Sequence, residues 1–187
     1  MSRMATTARA PGPYTRADLE GTPDDGRRYE LVDGHFHVSA APGRVHQRAT
    51  FRLAVQLDRV ALPDFELFTG PFAVALAADT ELQPDIVVGR VEDFTEREIR
   101  NPVLVVEVLS PSTRMFDTHV KRERLERAGI VSYWVVDPVA RPAEASLVAW
   151  ELGPDGLYQQ VAKVVGDEPF EARLPFPVTV VPATLVC

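Results

Sequence analysis

Cysteine and long apolar runs are almost absent from this sequence. The one cysteine, Cys187, is the last residue, so an intrachain disulfide framework is excluded. No run of about 18 apolar residues is present, as a membrane-spanning helix would require, and no apolar segment typical of a signal peptide occurs. The sequence therefore predicts a soluble protein of the cytoplasm without a membrane partner.

Positive charge is also scarce. The net charge is −7, and only two of the 20 lysine and arginine residues are lysines, Lys121 and Lys163. An acidic chain is not expected to coat nucleic acid, because phosphate favours a basic surface, but a local basic groove is not excluded. Arginine is a permanent cation, whereas a desolvated lysine can exchange its proton, so a lysine that faces the core is a candidate for chemistry.

The rest of the composition is that of a globular domain. Of the 187 residues, 45% are apolar and 25% are charged, which are ordinary values. We expect a single domain over residues 14–187 with a sizeable core. Residues 1–13 are small, polar and proline-containing, which predicts a loose N-terminal arm.

One apolar stretch organises the chain. Val103–Leu109 is rich in β-branched residues and predicts a strand that is buried on both faces, yet it contains Glu107. A buried, unpaired carboxylate is costly, so we expect Glu107 to have a cationic partner.

A helix is predicted to follow this strand, over residues 117–128, and to end at Gly129. Lys121 shares one face of that helix with Leu125 and Ala128, two residues expected in the core. The spacing therefore predicts that Lys121 turns towards the sheet.

The other elements indicate a mixture of strands and helices, an α/β (α+β) class. They are a hairpin over 28–38 with its turn at Asp33-Gly34, a helix over 44–61, strands over 65–68, 72–76, 82–88 and 131–136, a polar connection over 90–100, and antiparallel strands over 144–186.

Two carboxylates and an amine are expected to meet in this arrangement. Asp85 lies where the chain enters the 82–88 strand, Glu107 lies in the next strand, and Lys121 lies on the helix after it. Hard oxygen ligands favour Mg²⁺ or Mn²⁺, which can activate water and neutralise charge on a phosphate. A lysine can hold the phosphate or help orient and deprotonate the water. These residues predict metal-assisted hydrolysis of a phosphodiester.

Several stretches together resemble a known family, in order and in spacing. They are Tyr29-Glu-Leu-Val-Asp-Gly34, Gln83-Pro-Asp85, Val105-Val-Glu-Val-Leu-Ser-Pro-Ser-Thr113, Asp117, Lys121, Ala128-Gly129 and Tyr133-Trp-Val-Val-Asp137. The chain is similar here to the Uma2 family of restriction-endonuclease-like proteins, assigned to the PD-(D/E)XK nuclease superfamily. The resemblance implies a mixed sheet flanked by helices, with Mg²⁺ at Asp85 and Glu107.

The resemblance also extends the candidate site. The lysine expected two places after the glutamate is Leu109 here, so the Uma2-like interpretation assigns the amine to Lys121. Glu30 and His46 match positions that recur in the family, and Glu30 is a candidate metal ligand. Asp117 is interpretable either as a helix N-cap or as a site residue.

The expected partner is DNA. Arg114, Arg122 and Arg124 are candidates for contacts with its backbone. A homodimer would suit the cutting of two strands, by analogy alone. A serine nucleophile at Ser110 or Ser112 is disfavoured because no Gly-x-Ser-x-Gly motif surrounds either residue.

Three interpretations remain open from the sequence. The first is a Mg²⁺-dependent endonuclease. The second is a non-catalytic binding or assembly module with a nuclease fold, which the acidic net charge favours. The third is a metal-dependent hydrolase of another phosphoester.

Overall fold

The computed structural model describes residues 13–187. The arm predicted over residues 1–13 lies outside this range, except for its last residue. Within the described range, no helix combines the length and the apolar character that crossing a membrane would require.

Most elements of the described chain are short strands, and few are helices. In order, the elements are α1 (Arg16–Leu19), β1 (Arg28–Val32), β2 (His35–Ser39), α2 (Arg44–Asp58), β3 (Phe65–Thr69), β4 (Ala73–Ala77), β5 (Thr80–Leu82), β6 (Ile86–Arg90), β7 (Glu98–Ile99), β8 (Leu104–Val108), a π-helical segment (Phe116–Lys121), α3 (Arg122–Arg127), β9 (Ser132–Asp137), β10 (Ser146–Leu152), β11 (Tyr158–Val165), β12 (Phe170–Ala172), β13 (Val178–Val180) and α4 (Pro182–Val186). Single 3₁₀ turns precede β7 and β10.

Within residues 13–187 the strands form two main sheets. The larger has the order β11-β10-β9-β8-β6-β3, and the smaller has the order β2-β1-β5-β4-β7. Strands β8 and β9 are parallel, as are β4 and β7, and the other pairs are antiparallel. Strands β12 and β13 form a separate ribbon. The predicted α+β class, a mixed sheet flanked by helices with extra antiparallel strands, is confirmed.

Each face of the larger sheet has its own core. On one face, Val106 and Trp134 pack with Leu53 of α2 and with the C-terminal segment. On the other face, Val105 and Tyr133 pack with α3 and with the smaller sheet. Successive side chains of a strand point to opposite faces, so Glu107 points to the same face as Val105, towards the smaller sheet.

Three sequence expectations need correction. The 82–88 strand is two strands of different sheets, because Pro84 has no amide hydrogen to donate and the chain crosses between sheets there. The 90–100 connection is not wholly polar surface, since Ile99 is fully buried in β7. Ala128 is exposed rather than in the core, because α3 ends at Arg127 and Gly129 takes a positive φ of 76°.

The predicted helix over 117–128 is present but has an unexpected form. Its first part is the π-helical segment Phe116–Lys121 and its second part is α3. The C-terminal helix α4 was not predicted, since residues 144–186 were interpreted as antiparallel strands throughout. Its five residues are largely buried against α2, and Arg52 of α2 donates a hydrogen bond to the carbonyl of Thr184.

Candidate active site

Three buried carboxylates surround the ammonium group of Lys121. Its Nζ lies 2.8 Å from Oε1 of Glu107, 2.9 Å from Oε1 of Glu30 and 3.3 Å from Oδ1 of Asp117. The Lys121 side chain is only 1% exposed. The cationic partner predicted for Glu107 is therefore Lys121, and the prediction that Lys121 turns towards the sheet is confirmed.

The two glutamates of this cluster come from different sheets. Glu30 lies in β1 of the smaller sheet, and Glu107 lies in β8 of the larger one. Glu30 Oε1 also accepts a hydrogen bond of 2.7 Å from the amide of Gln83, which fixes the carboxylate at the crossing between the sheets.

The π-helical segment positions the side chains of Asp117 and Lys121. Both side chains are buried, and they pair with each other across one turn. Tyr133 of β9, fully buried, donates a hydrogen bond of 2.8 Å from its hydroxyl to the main-chain carbonyl of Asp117. The segment is thereby tied to the larger sheet. Such π-helical turns are frequent at functional sites.

Asp85 is held by three donors. Its Oδ1 accepts from Nη2 of Arg28 at 2.9 Å. Its Oδ2 accepts from the amide of Val108 at 2.8 Å and lies 3.1 Å from Nε2 of His46. The amide contact places Asp85 beside the end of β8, one residue beyond Glu107.

The acids differ in how their surroundings shift their pKa values. Burial favours the neutral form of Asp85, but the His46 hydrogen bond, the Arg28 charge and the Val108 amide outweigh it and lower its pKa to about 2. Burial raises the pKa of Glu107 well above its ordinary value, despite the Lys121 charge. Burial likewise raises the pKa of Asp117.

The surroundings of Lys121 favour its charged form. Burial favours its neutral form, but the charges of Glu107, Glu30 and Asp117 outweigh this and raise its pKa above the ordinary value. Lys121 is therefore an ammonium at neutral pH.

All of these groups line one cavity. A space of about 80 Å³ is bounded by Glu30, Asp85, Glu107, Asp117 and Lys121. His46 and Arg28 also line it, together with the loop of Ser110, Ser112 and Thr113. The structure thus brings together all the candidate catalytic and metal-binding residues that the sequence predicted.

The three arginines proposed for contacts with the DNA backbone have three different sets of neighbours. Arg114 follows the loop that lines the cavity, and its Nη1 lies 2.8 Å from Oδ2 of Asp137. Arg122 lies over the ring of Trp150. Arg124 forms a two-pronged ion pair with Asp33 in the hairpin turn.

Arg28 also belongs to the site, although the sequence did not single it out. It lies two positions before Glu30 in β1, so the alternation of a strand places both side chains on one face. That spacing was a usable signal. The contact of Arg28 with Asp85 could not be inferred from the sequence, since 57 positions separate the two residues.

The donor chemistry of this cluster fits a divalent cation. Carboxylate oxygens are the ligands that Mg²⁺ and Mn²⁺ favour. Four carboxyl groups face two strong bases, Lys121 and Arg28, and this excess of acid would be neutralised by a divalent ion. The atoms are not, however, in a metal-binding arrangement. Within residues 13–187, no three His, Cys, Asp or Glu side chains are placed to hold a metal ion, and the Lys121 ammonium lies between three of the acids.

The architecture has a counterpart among solved structures. The crystal structure of "a putative nuclease belonging to DUF820" from Anabaena variabilis ATCC 29413 matches with a TM-score of 0.67 and 19% sequence identity. The match covers 93% of this chain and 98% of that chain. At this identity the likeness concerns the fold alone, so the two proteins share one α+β architecture.

The family follows from the sequence. The model of the Uma2 family, described as "Putative restriction endonuclease", matches residues 16–184. The chain belongs to the Uma2 family, which confirms the resemblance drawn from the motifs. No curated protein matches the sequence.

Proposed function

We propose that this protein is a divalent-metal-dependent endonuclease that hydrolyses phosphodiester bonds of DNA. The observation that carries the proposal is the excess of buried acids around Lys121 in one cavity, with Asp85 immediately before β6 and Glu107 in the neighbouring strand β8. Membership of the Uma2 family supports the same reaction class.

Asp85, Glu107 and Glu30 would hold the metal. The ion, when bound, would supply Lewis-acid stabilisation of phosphate charge and a more acidic water. Asp85 is the acid best suited to remain ionised, because three donors already stabilise its carboxylate. His46 and Arg28 orient that carboxylate.

Lys121 is proposed to act as a cation. Its raised pKa makes proton abstraction from water unfavourable at neutral pH, so of the two roles expected from the sequence we favour binding of the scissile phosphate. Nζ would donate a hydrogen bond to a non-bridging phosphate oxygen. Asp117 keeps Lys121 in place through their contact within one helical turn.

Contacts with the DNA backbone are proposed for Arg114, Arg122 and Arg124. Arg114 is the strongest of these candidates, because it adjoins the cavity loop and its side chain is 48% exposed. Arg124 would first have to leave its ion pair with Asp33. A homodimer remains our prediction for cutting both strands of a duplex, and the molar mass in solution tests it.

A nicking assay on supercoiled DNA tests the function. The parent protein is expected to nick DNA with Mn²⁺ or Mg²⁺, and an RNA substrate run in parallel tests the choice of DNA. We expect Glu107→Gln and Lys121→Ala each to reduce the rate by at least about 100-fold. Glu66→Gln, the same exchange at an exposed position of β3, is the matched control and should retain the rate.

One observation favours a second candidate function. Because Lys121 already places a positive charge among the acids, the fold can persist without metal as a binding or assembly module. A parent protein that neither binds Mn²⁺ nor nicks any nucleic acid, yet is folded, would contradict the endonuclease and support this alternative.

A further inference from the structure

The outer face of α2 carries an exposed stripe that the proposed chemistry does not use. Arg44, Gln47, Arg48 and Phe51 are all exposed and stand at positions i, i+3, i+4 and i+7, so they form one line along the helix. The opposite face holds the buried residues of α2, among them Leu53. We call these four residues the α2 stripe.

Phe51 is the unusual member of the α2 stripe. Its side chain is 68% exposed, and among the large apolar residues of the described chain only Met115 is more exposed. A single exposed phenylalanine is ordinary on a protein surface. The position of this one is not, because it lines a pocket of about 140 Å³ together with Asp85, His46 and Arg28.

That pocket continues the catalytic cavity outwards. Arg28, His46 and Asp85 line both spaces, so the acid cluster and Phe51 lie along one path. Beyond it, Arg28 and Gln47 also line a wider groove of about 510 Å³. A chain molecule whose phosphate reaches Lys121 would therefore have its neighbouring unit beside Phe51.

The chemistry of the α2 stripe fits an unpaired nucleotide. Aromatic side chains stack on bases of any sequence, and arginines bind the flanking phosphates. Gln47 has the amide group that hydrogen-bonds base edges. Arg48 already donates one hydrogen bond, from Nη1 to the carbonyl of Cys187 at 3.2 Å, which leaves Arg44 as the main phosphate ligand.

A fully paired duplex fits less well. Its two backbones call for a broad basic surface, whereas this protein has a net charge of −7. A narrow stripe with one aromatic side chain instead suits a single strand, in which the bases are free to stack.

We propose that the α2 stripe binds the single-stranded part of a nucleic-acid substrate, with Phe51 stacked on an unpaired base next to the phosphate at Lys121. This inference rests on the proposed nuclease function and specifies its substrate class as single-stranded, flapped or bulged DNA.

A binding experiment on the full-length Glu107→Gln protein tests the inference without cleavage. The probes are an oligonucleotide carrying 2-aminopurine, whose fluorescence falls on stacking, and the same oligonucleotide annealed to its complement. We expect quenching and tighter binding for the single strand. Adding Phe51→Ala should abolish the quenching and weaken single-strand binding about 5- to 150-fold, whereas Phe51→Trp should keep both.

Leu157→Ala is the matched control. Leu157 is 56% exposed and lies in the turn between β10 and β11, so its loss removes a similar apolar surface without affecting the probe. Circular dichroism melts establish that each variant is folded. Should Phe51→Ala lose stability, Arg44→Ala provides the same test and is expected to weaken binding without abolishing quenching.

The possible outcomes distinguish a failure of this inference from a failure of the proposed nuclease function. If the parent nicks DNA but Phe51→Ala binds and quenches like the parent, or if the duplex binds more tightly, the inference is overturned and the nuclease stands. If no nucleic acid binds and none is nicked, both are overturned. Phe51-dependent capture of a protein, without nucleic-acid binding, would also overturn the inference.

Discussion

At the scale of residues, Lys121 determines whether the acid cluster can be buried. Its ammonium contacts Glu30, Glu107 and Asp117, and no other lysine or arginine of the described chain forms an ion pair with these three acids. Removing one partner of a buried ion pair is strongly destabilising, because the remaining charges are left uncompensated.

Lys121→Met is therefore expected to lower the free energy of unfolding by about 3–5 kcal/mol at neutral pH. Urea denaturation followed by circular dichroism measures the change. Lys163→Met is the control, since Lys163 is the other lysine of the chain and is exposed on β11. Its effect should stay within about 0.5 kcal/mol. Equal stabilities for the two variants would show that Lys121 does not compensate the acids.

The pH dependence of stability follows from the shifted acids. When folding raises the pKa of a carboxyl group, the folded state binds the extra proton, so stability falls as pH rises above the ordinary pKa. Glu107 and Asp117 belong to this class. Asp85 has the opposite sign: its contribution is lost only as pH falls from 3.8 towards about 2.

The parent protein should thus lose stability relative to Glu107→Gln, whose amide is permanently neutral, as the pH rises above the ordinary glutamate value of 4.5. The difference between the two proteins is the quantity to measure, by thermal melting across that range. His37 has a lowered pKa through burial and gives the opposite slope, but it is common to both proteins. A difference that does not change with pH would contradict the raised pKa of Glu107.

At the scale of elements, local sequence patterns were informative. The hairpin at Asp33-Gly34, the start of α2 at Arg44 and the buried strand around Glu107 all follow from local patterns. The split between β5 and β6 and the burial of α4 depend on contacts between distant parts of the chain. The π-helical segment gave no local signal that we recognise.

Tyr133 is expected to position that segment. Tyr133→Phe removes the hydrogen bond to the carbonyl of Asp117 and should cost about 1–2 kcal/mol of stability. Because Asp117 and Lys121 then lose their tie to β9, metal-dependent nicking should also slow. Stability and nicking rate are measured on the same preparation.

The matched control is Tyr158→Phe. Tyr158 donates an equivalent bond of 2.9 Å to the carbonyl of Ile130, which lies outside the cavity. It should lose similar stability and retain the nicking rate. If both variants nick equally well, Tyr133 has a structural role alone.

At the scale of the whole molecule, the site lies where the two sheets meet. Glu30 comes from the smaller sheet and Glu107 from the larger. Asp85 lies immediately before β6 of the larger sheet, and Arg28 of the smaller sheet contacts it. The strand patterns around Asp85 and Glu107, together with the helix face of Lys121, predicted that these three residues meet. The sequence could not show that Lys121 would lie between the acids, nor that Arg28 and His46 would hold Asp85, because these contacts are set by packing of the sheets.

A divalent cation at this junction should stabilise the whole fold, since it would bind the folded chain and not the separated sheets. At a free concentration of 100 times its Kd, such an ion raises the free energy of unfolding by about 2.7 kcal/mol. For a chain of this size, that corresponds to a rise in Tm of roughly 5–10 °C. We expect this rise with Mn²⁺ or Mg²⁺ for the parent, measured by scanning calorimetry against sodium chloride of equal ionic strength.

Two variants connect that rise to the cluster. Glu30→Gln should reduce the metal-induced rise in Tm, because it removes the ligand that the smaller sheet contributes. Lys121→Met should enlarge it, because the metal then replaces a lost positive charge among the same acids. A rise of equal size in all three proteins would place the ion elsewhere on the molecule. A rise in Lys121→Met alone would mean that, in the parent, the ammonium group excludes the metal from the acids, and the binding module would then be the better description of this protein.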